Sequence, residues 1–401
     1  MDIDRRKLLF RTASVSLAIP FIANLSKNVS LLAWAETGET VSDLKSELTL
    51  LNDRPVNMEA PAHLLDDKVT PASRFFVRNN GITPHISELT AESWKLQIDG
   101  EVETPTSFTI EGLKKNFETV TLQLQMECGG NGRKYYIPGA SGNQWTFGAI
   151  SCAEWTGVRL GDVLKSCKLK DSAVYTAHYS IDKHLSGSEK KPISRGVPIH
   201  KALEQHSIIA WAMNGEDIPI INGHPLRLLI PGWPGSCSQK WINKITVRDQ
   251  IHDGTKMTGK AYRVPKYPVA PGTTIPDEDM KIIESMPVKS LITYPKTGMR
   301  VNIKKEIEVR GHAWAGDLDV RAVDISIDFG ATWLPAKLDK PVNKYAWQHW
   351  SGRVNLPQSG YYEVWARAQD KNGAYQPALT PGWNPKGYLN NMQHRIALIG
   401  L

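Results

Sequence analysis

The chain has 401 residues and a formal net charge of +7, from 48 Lys and Arg against 41 Asp and Glu. A charge of that size steers an anionic substrate or an acidic partner, and with no Lys/Arg-rich run it gives nucleic-acid binding no support. Four cysteines do not describe a disulfide scaffold. The chain holds neither the Cys-x-x-Cys-His of a covalently attached c-type haem nor the Gly-x-Gly-x-x-Gly of a dinucleotide fold.

The first 35 residues read as a targeting segment rather than structure. Arg5-Arg6 is a twin arginine, a moderately apolar run follows from Thr12 to Leu25, and Ala33-Trp34-Ala35 supplies a small-x-small cleavage pattern. Ser14, Ser16, Pro20 and Asn24 make the run too polar for a membrane-spanning helix. The expectation is twin-arginine export, a periplasmic mature protein and no membrane anchor in it. Cleavage would remove five basic and two acidic residues, leaving a net charge of about +4. Residues 36–73, polar with scattered prolines, are expected to run over the surface as an extended arm.

From 74 to 262 short strands, helices and glycine-rich loops alternate without a recurring βαβ spacing, which argues for an α+β domain. Trp94–Gly100 reads as a strand into a turn, Ser107–Leu113 opens a short helix, and Leu160, Val163 and Leu164 mark another. If residues 151–166 form one continuous helix, Cys152 and Cys167 lie about 22 Å apart, beyond disulfide reach. Free thiols are therefore expected, with Cys237 buried. Residues 263–287, with five prolines, read as a linker. Beyond it, residues 288–401 are β-patterned: Val323, Ile325, Ile327 and Phe329 alternate up to a turn, Tyr362, Val364 and Trp365 mark a second strand, and Asp370–Gly373 is a turn signal. That spacing fits an all-β immunoglobulin-like sandwich.

The stretch Leu122–Arg133 carries the chemistry. Leu122, Leu124 and Met126 alternate as in a strand, which ends at Cys128 followed by Gly129-Gly130. A thiol at a strand end, beside backbone that can approach a ligand closely, suits a soft transition metal. Cys128-Gly-Gly-Asn-Gly-Arg133 resembles the molybdenum-ligand loop of the sulfite oxidase family. Four further segments match in order: Phe75–Asn80, Gly148–Leu160, the run from Met213 through Gly223–Arg227 and Pro231 to Lys240-Trp241, and Trp383–Gly387 with His394-Arg395. The similarity covers residues 60–401 and is nearest to the bacterial periplasmic sulfite dehydrogenases of that family.

The resemblance implies an α+β molybdopterin-binding domain followed by a sandwich that mediates homodimerisation. It implies that Cys128 is the one protein ligand to molybdenum, which a pterin dithiolene and oxo groups complete. Arg78 and Arg133 match the arginines of the substrate pocket, and Trp145 matches its wall. Tyr262 matches the active-site tyrosine, with Tyr267 a competitor five residues later. Asn79, Asn80, Ser194, Arg195, Asn222, Arg227, Ser238 and Lys240 fall at cofactor-binding positions, Arg227 and Lys240 as neutralisers of the pterin phosphate. Asn222 stands where animal members carry a histidine, and His224 is offset from it by two. Asn80 also replaces a typical histidine, and Lys386 a typical arginine, which keeps the charge but loses the forked donor. The implied activity is oxidation of sulfite to sulfate on a molybdenum–molybdopterin cofactor. With no haem expected in this chain, electrons would pass to an external c-type cytochrome. Action on another sulfur compound, or reduction of an oxide, is the alternative within the same family.

Overall fold

A computed structural model describes residues 45–401. The twin-arginine segment and the start of the expected arm lie outside the described residues. The rest of that arm is not simply extended. Thr49–Asp53 and Val56–Glu59 form an antiparallel hairpin, and Val77–Arg78 pairs with its second strand. All four residues of Val56–Glu59 are buried, so the hairpin belongs to the core and brings Asn57 beside Arg78.

Beyond that hairpin, the half of the chain before residue 263 is built on two sheets. In the first, Thr119–Glu127 pairs with Ile150–Arg159, which pairs with Ile208–Met213; Glu216–Asp217 and Arg227–Leu229 also pair with the last of these. The second runs Thr106–Thr109, Lys95–Gly100, Ile242–Arg248, Tyr175–Ser180, with its central pair parallel. Short helices cover the edges. Thr109 caps Ile110–Asn116 by accepting from the Gly112 amide, and Leu160–Ser166 buries Leu160, Val163 and Leu164. Residues 151–166 are not one continuous helix: Ile150–Arg159 is a strand, and Leu160–Ser166 is the short helix that Leu160, Val163 and Leu164 mark. Ile150, Trp155, Thr156 and Val158 favour extended backbone, and both strand edges find partners. The helix begins only at Leu160. All four cysteines are buried and free, although the reason is not the helical spacing.

The proline-rich stretch 263–287 also carries structure: Arg263–Pro265 pairs antiparallel with Met280–Ile282. After it come two facing sheets. One runs Lys289–Tyr294, Ile307–Trp314, Gln348–Val354, Lys337–Leu338. The other runs Met299–Val301, His394–Gly400, Gly360–Asp370, Val320–Ser326, Leu334–Pro335. Val309, Val323, Ile325, Trp350, Val364 and Leu398 fill the space between them. This is a β-sandwich, as the alternation predicts.

The sandwich covers the second face of the Thr119–Glu127 strand. The first half of that strand alternates between exposed and buried, whereas its last five residues are all buried. The Gln125 amide donates to the Tyr345 carbonyl at 2.8 Å, and Glu127 is held by Lys289 Nζ at 2.5 Å and Trp314 Nε1 at 2.9 Å. Cys128 therefore follows a strand clamped from both sides.

Candidate active site

A cavity of about 640 Å³, counted out to its open mouth, lies at the end of this strand with Cys128 and Met126 in its wall. Arg78, Asn79 and Asn80 enter from the strand beside the N-terminal hairpin. Asn222 and Arg227 come from one loop, Ser236, Ser238, Gln239, Lys240 and Trp241 from the next, and Asp182 and Tyr262 close it. Cys128 is anchored by its own backbone: its amide donates to the Ala149 carbonyl at 2.9 Å and its carbonyl accepts from the Asn131 amide at 2.8 Å. A Cβ at Gly130 would meet Arg133 Nη2 at 2.2 Å, so a side chain there would push that guanidinium out of its place.

The deep part of the cavity is polar and short of partners. Asn79 Nδ2, Asn222 Oδ1, Arg227 Nε, Ser236 Oγ and Gln239 Oε1 are buried without a hydrogen bond, a costly state that a polar ligand would relieve. Arg227 donates to the Asn222 carbonyl at 2.7 Å, and Lys240 donates to the Ile221 carbonyl at 2.8 Å and to Asn79 Oδ1. Burial holds Arg227 down to about 9. Burial, with the charge of Arg227, holds Lys240 well below the usual lysine value. Two cations crowded in this way call for an anion between them. Asp182 lines the same region, and burial raises its pKa against a hydrogen bond from Ser180 and the charge of Lys240. A thiol, a paired Arg and Lys and a set of orphaned amides lining one cavity fit a polar-edged cofactor that carries a phosphate. Among the described residues no group of three His, Cys, Asp or Glu side chains is assembled for a metal. The donor at Cys128 is a lone thiol, suited to a metal whose other ligands come with the cofactor.

Toward the mouth three donors converge on one atom. Asn80 Oδ1 accepts from Arg78 Nη2 at 2.9 Å, Lys256 Nζ at 2.6 Å and Tyr262 Oη at 3.3 Å. Arg78 is positioned by Asn57 Oδ1, which accepts from it at 3.3 Å and from the Asn79 amide at 2.9 Å. Tyr262 lies between the Arg195 guanidinium, 4.9 Å from its ring centre, and the stacked Tyr388 ring at 5.5 Å. Burial pushes its phenol up, but the charges of Arg78 and Lys256 and the hydrogen bond to Asn80 leave it below the usual tyrosine value.

The structure separates several sequence expectations. Tyr262 lines the cavity, whereas Tyr267 is half exposed and donates to Asp279 at 2.6 Å. Asn222 lines it and His224 does not. Arg195 is fully buried behind Tyr262 and donates to the Lys256 carbonyl at 3.0 Å. Ser194 bonds His252 at 2.7 Å and the His178 carbonyl at 3.1 Å, one layer out. Trp145 is fully buried in the same apolar cluster as Cys128, a core wall rather than part of the cavity lining. Arg133 is not in the lining either. Its Nε donates to the Lys386 carbonyl at 2.6 Å and its Nη1 to the Asn143 carbonyl at 2.8 Å. Lys386 Nζ donates to Ser141 at 3.0 Å, and its charge helps to depress the pKa of Lys256, after burial and Arg78. Sequence reasoning missed Asp182, Gln239 and Lys256. An acid two residues past the Tyr175–Ser180 strand was a usable signal for the first; nothing around Gly254-Thr-Lys256 marks the last.

The sequence profile of an oxidoreductase molybdopterin-binding domain matches residues 81–256, and that of a Mo-co oxidoreductase dimerisation domain matches residues 280–400. The human mitochondrial sulfite oxidase is 29% identical over 396 residues, which is 94% of this chain and 70% of that one. The chain belongs to the sulfite oxidase family of molybdoenzymes. The sulfite oxidase of Gallus gallus is 29% identical across 87% of this chain and 77% of its own length. That of Drosophila melanogaster is 30% identical across 86% of this chain, which spans 61% of the insect protein. Among solved structures, the sulfane dehydrogenase SoxCD from Paracoccus pantotrophus superposes with a TM-score of 0.72 at 25% identity, covering 88% of both chains. As a member of this family the chain is a molybdopterin-dependent oxidoreductase acting on sulfur compounds.

Proposed function

We propose that the protein oxidises sulfite to sulfate and passes the electrons to an external c-type cytochrome. The observation that carries this reading is the set of donors around Asn80, two cations and a phenol, set at the mouth of a cavity whose wall holds a thiol. In the balanced reaction sulfite takes one oxygen from water and releases two protons and two electrons. The molybdenum cofactor, when bound through Cys128, Arg227 and Lys240, supplies oxygen-atom transfer and stores the two electrons. The side chains do the rest. Arg78 and Lys256 hold the anionic oxygens, Tyr262 donates its phenolic hydrogen to one of them, and Trp145 and Phe75 keep water from the thiol side. We assign the mature protein to the periplasm, reached by twin-arginine export, and its sandwich to homodimer contacts.

The likeness to a sulfane dehydrogenase favours a second reading, oxidation of a sulfane sulfur by the same site. Steady-state assays of purified, molybdenum-loaded protein separate the two. Cytochrome c reduction that depends on sulfite, is absent with thiosulfate and is abolished in Cys128→Ser at unchanged circular dichroism supports the first reading. Turnover with thiosulfate alone supports the second.

A further inference from the structure

Asn80 Oδ1 carries more donors than its chemistry suits. An amide oxygen is neutral and has two lone pairs, yet Arg78 points at it from the strand Val77–Arg78, and Lys256 and Tyr262 from the loop between Arg248 and Arg263. Two of the three donors are full cations. Lys256 is largely desolvated, its Nζ has Asn80 as its hydrogen-bond partner, and Asp182 is an acid whose field reaches it without a direct contact. The backbone is also set for this arrangement. Lys256 has φ 69° and Tyr262 φ 54°, both in the left-handed region that non-glycine residues adopt at an energetic cost. Two residues strained alike, with their polar ends on one point, mark a preformed receptor for something better than an amide.

We infer that these donors form an oxyanion subsite that Asn80 Oδ1 fills in the free protein, and that a sulfur oxyanion enters by displacing that amide. This rests on the sulfur-oxyanion reading of the site and adds to it a specificity residue, Lys256, and an internal competitor, Asn80. A pyramidal or tetrahedral anion offers one oxygen to each donor and the negative charge that Arg78 and Lys256 lack. Lys256, a point charge on a flexible stem, follows the oxygen as the amide swings aside, while Arg78 stays fixed by Asn57.

Calorimetric binding of inorganic sulfate to the resting, molybdenum-loaded protein tests the inference, with metal content and melting temperature measured for every variant. Lys256→Met is expected to weaken sulfate binding by roughly 10- to 100-fold, and Lys256→Arg to recover most of it. Asn80→Ala is expected to tighten binding several-fold, because the competitor is gone. Sulfate affinity in Lys256→Met within about twofold of wild type overturns the inference. So does weaker binding in Asn80→Ala at full metal content, and so does a wild type that binds no sulfate. A wild type that binds sulfate through Lys256 but turns over no sulfite overturns the functional reading and leaves the subsite standing.

Discussion

The guanidinium of Arg133 is bonded to two carbonyls of its own chain, those of Asn143 and Lys386, and lies 5.2 Å from the Tyr388 ring centre. It ties the cysteine loop to the C-terminal segment, so its removal should act on both structure and rate. Each charge-assisted bond lost at a buried carbonyl costs about 1.5–3 kcal/mol. Arg133→Gln is therefore expected to lower the unfolding midpoint and, as Lys386 and Tyr388 shift, to lower sulfite kcat/KM along with it. A fall in kcat/KM at an unchanged midpoint would instead place Arg133 directly on the substrate. The case shows what a motif conveys at this scale. Cys128, Arg78, Arg227 and Lys240 were legible because contiguous motifs locate them and the cavity needs their chemistry. The motif locates Arg133 equally well but does not say which way its side chain turns. Lys256 was illegible because its role depends on a left-handed turn that brings an ordinary loop lysine onto Asn80.

At the scale of elements, the strand Thr119–Glu127 was readable from Leu122, Leu124 and Met126, but its burial on both faces was not. Alternation reports one covered face; the second cover is the sandwich, far away in sequence. Glu127 shows the consequence. It is almost fully buried one residue before Cys128, with Lys289 Nζ at 2.5 Å, Trp314 Nε1 at 2.9 Å and Asn131 Nδ2 at 3.0 Å. Removing one member of such a pair leaves a buried uncompensated charge, at about 3–5 kcal/mol. Lys289→Met should lower the unfolding free energy measured in denaturant by that much and loosen the Cys128 loop. Glu127→Gln combined with Lys289→Met should regain most of the loss. A double variant as unstable as the sum of the singles would show that the two side chains act independently. Val56–Glu59, read as part of a surface arm, was misread for the same reason: what buries it lies far away in the chain, and local composition alone leaves strand and surface arm open.

Across the whole molecule, burial keeps a set of histidines neutral. It holds His178, His312 and His394 down to about 3 and, reinforced by Arg248, His252 down to about 4. They serve both halves and their junction. His178 and His252 lie behind the cavity. The His312 Nε2–H donates to the Leu65 carbonyl at 2.6 Å, and His394 accepts from the Ile292 amide at 3.1 Å with its ring edge-on to Phe147. In the unfolded chain each returns to the ordinary value of 6.5. Between that value and about 4 the unfolded state binds protons that the folded state refuses, so stability rises with pH there and falls on acidification. The slope is at most roughly 1.4 kcal/mol per pH unit for each histidine. Glu59 and Asp182, raised by burial, act in the opposite direction, but four histidines outnumber them. Unfolding at pH about 5.5 should accordingly take up at least about two protons net. Calorimetry in buffers of different ionisation enthalpy measures that number. His394→Asn keeps an acceptor for the Ile292 amide but cannot titrate, so it should take up about one proton fewer than wild type and lose less stability between pH 6.5 and pH 5. An uptake equal to wild type would mean that His394 is already protonated in the fold and that its contact with Phe147 does not exclude the charge.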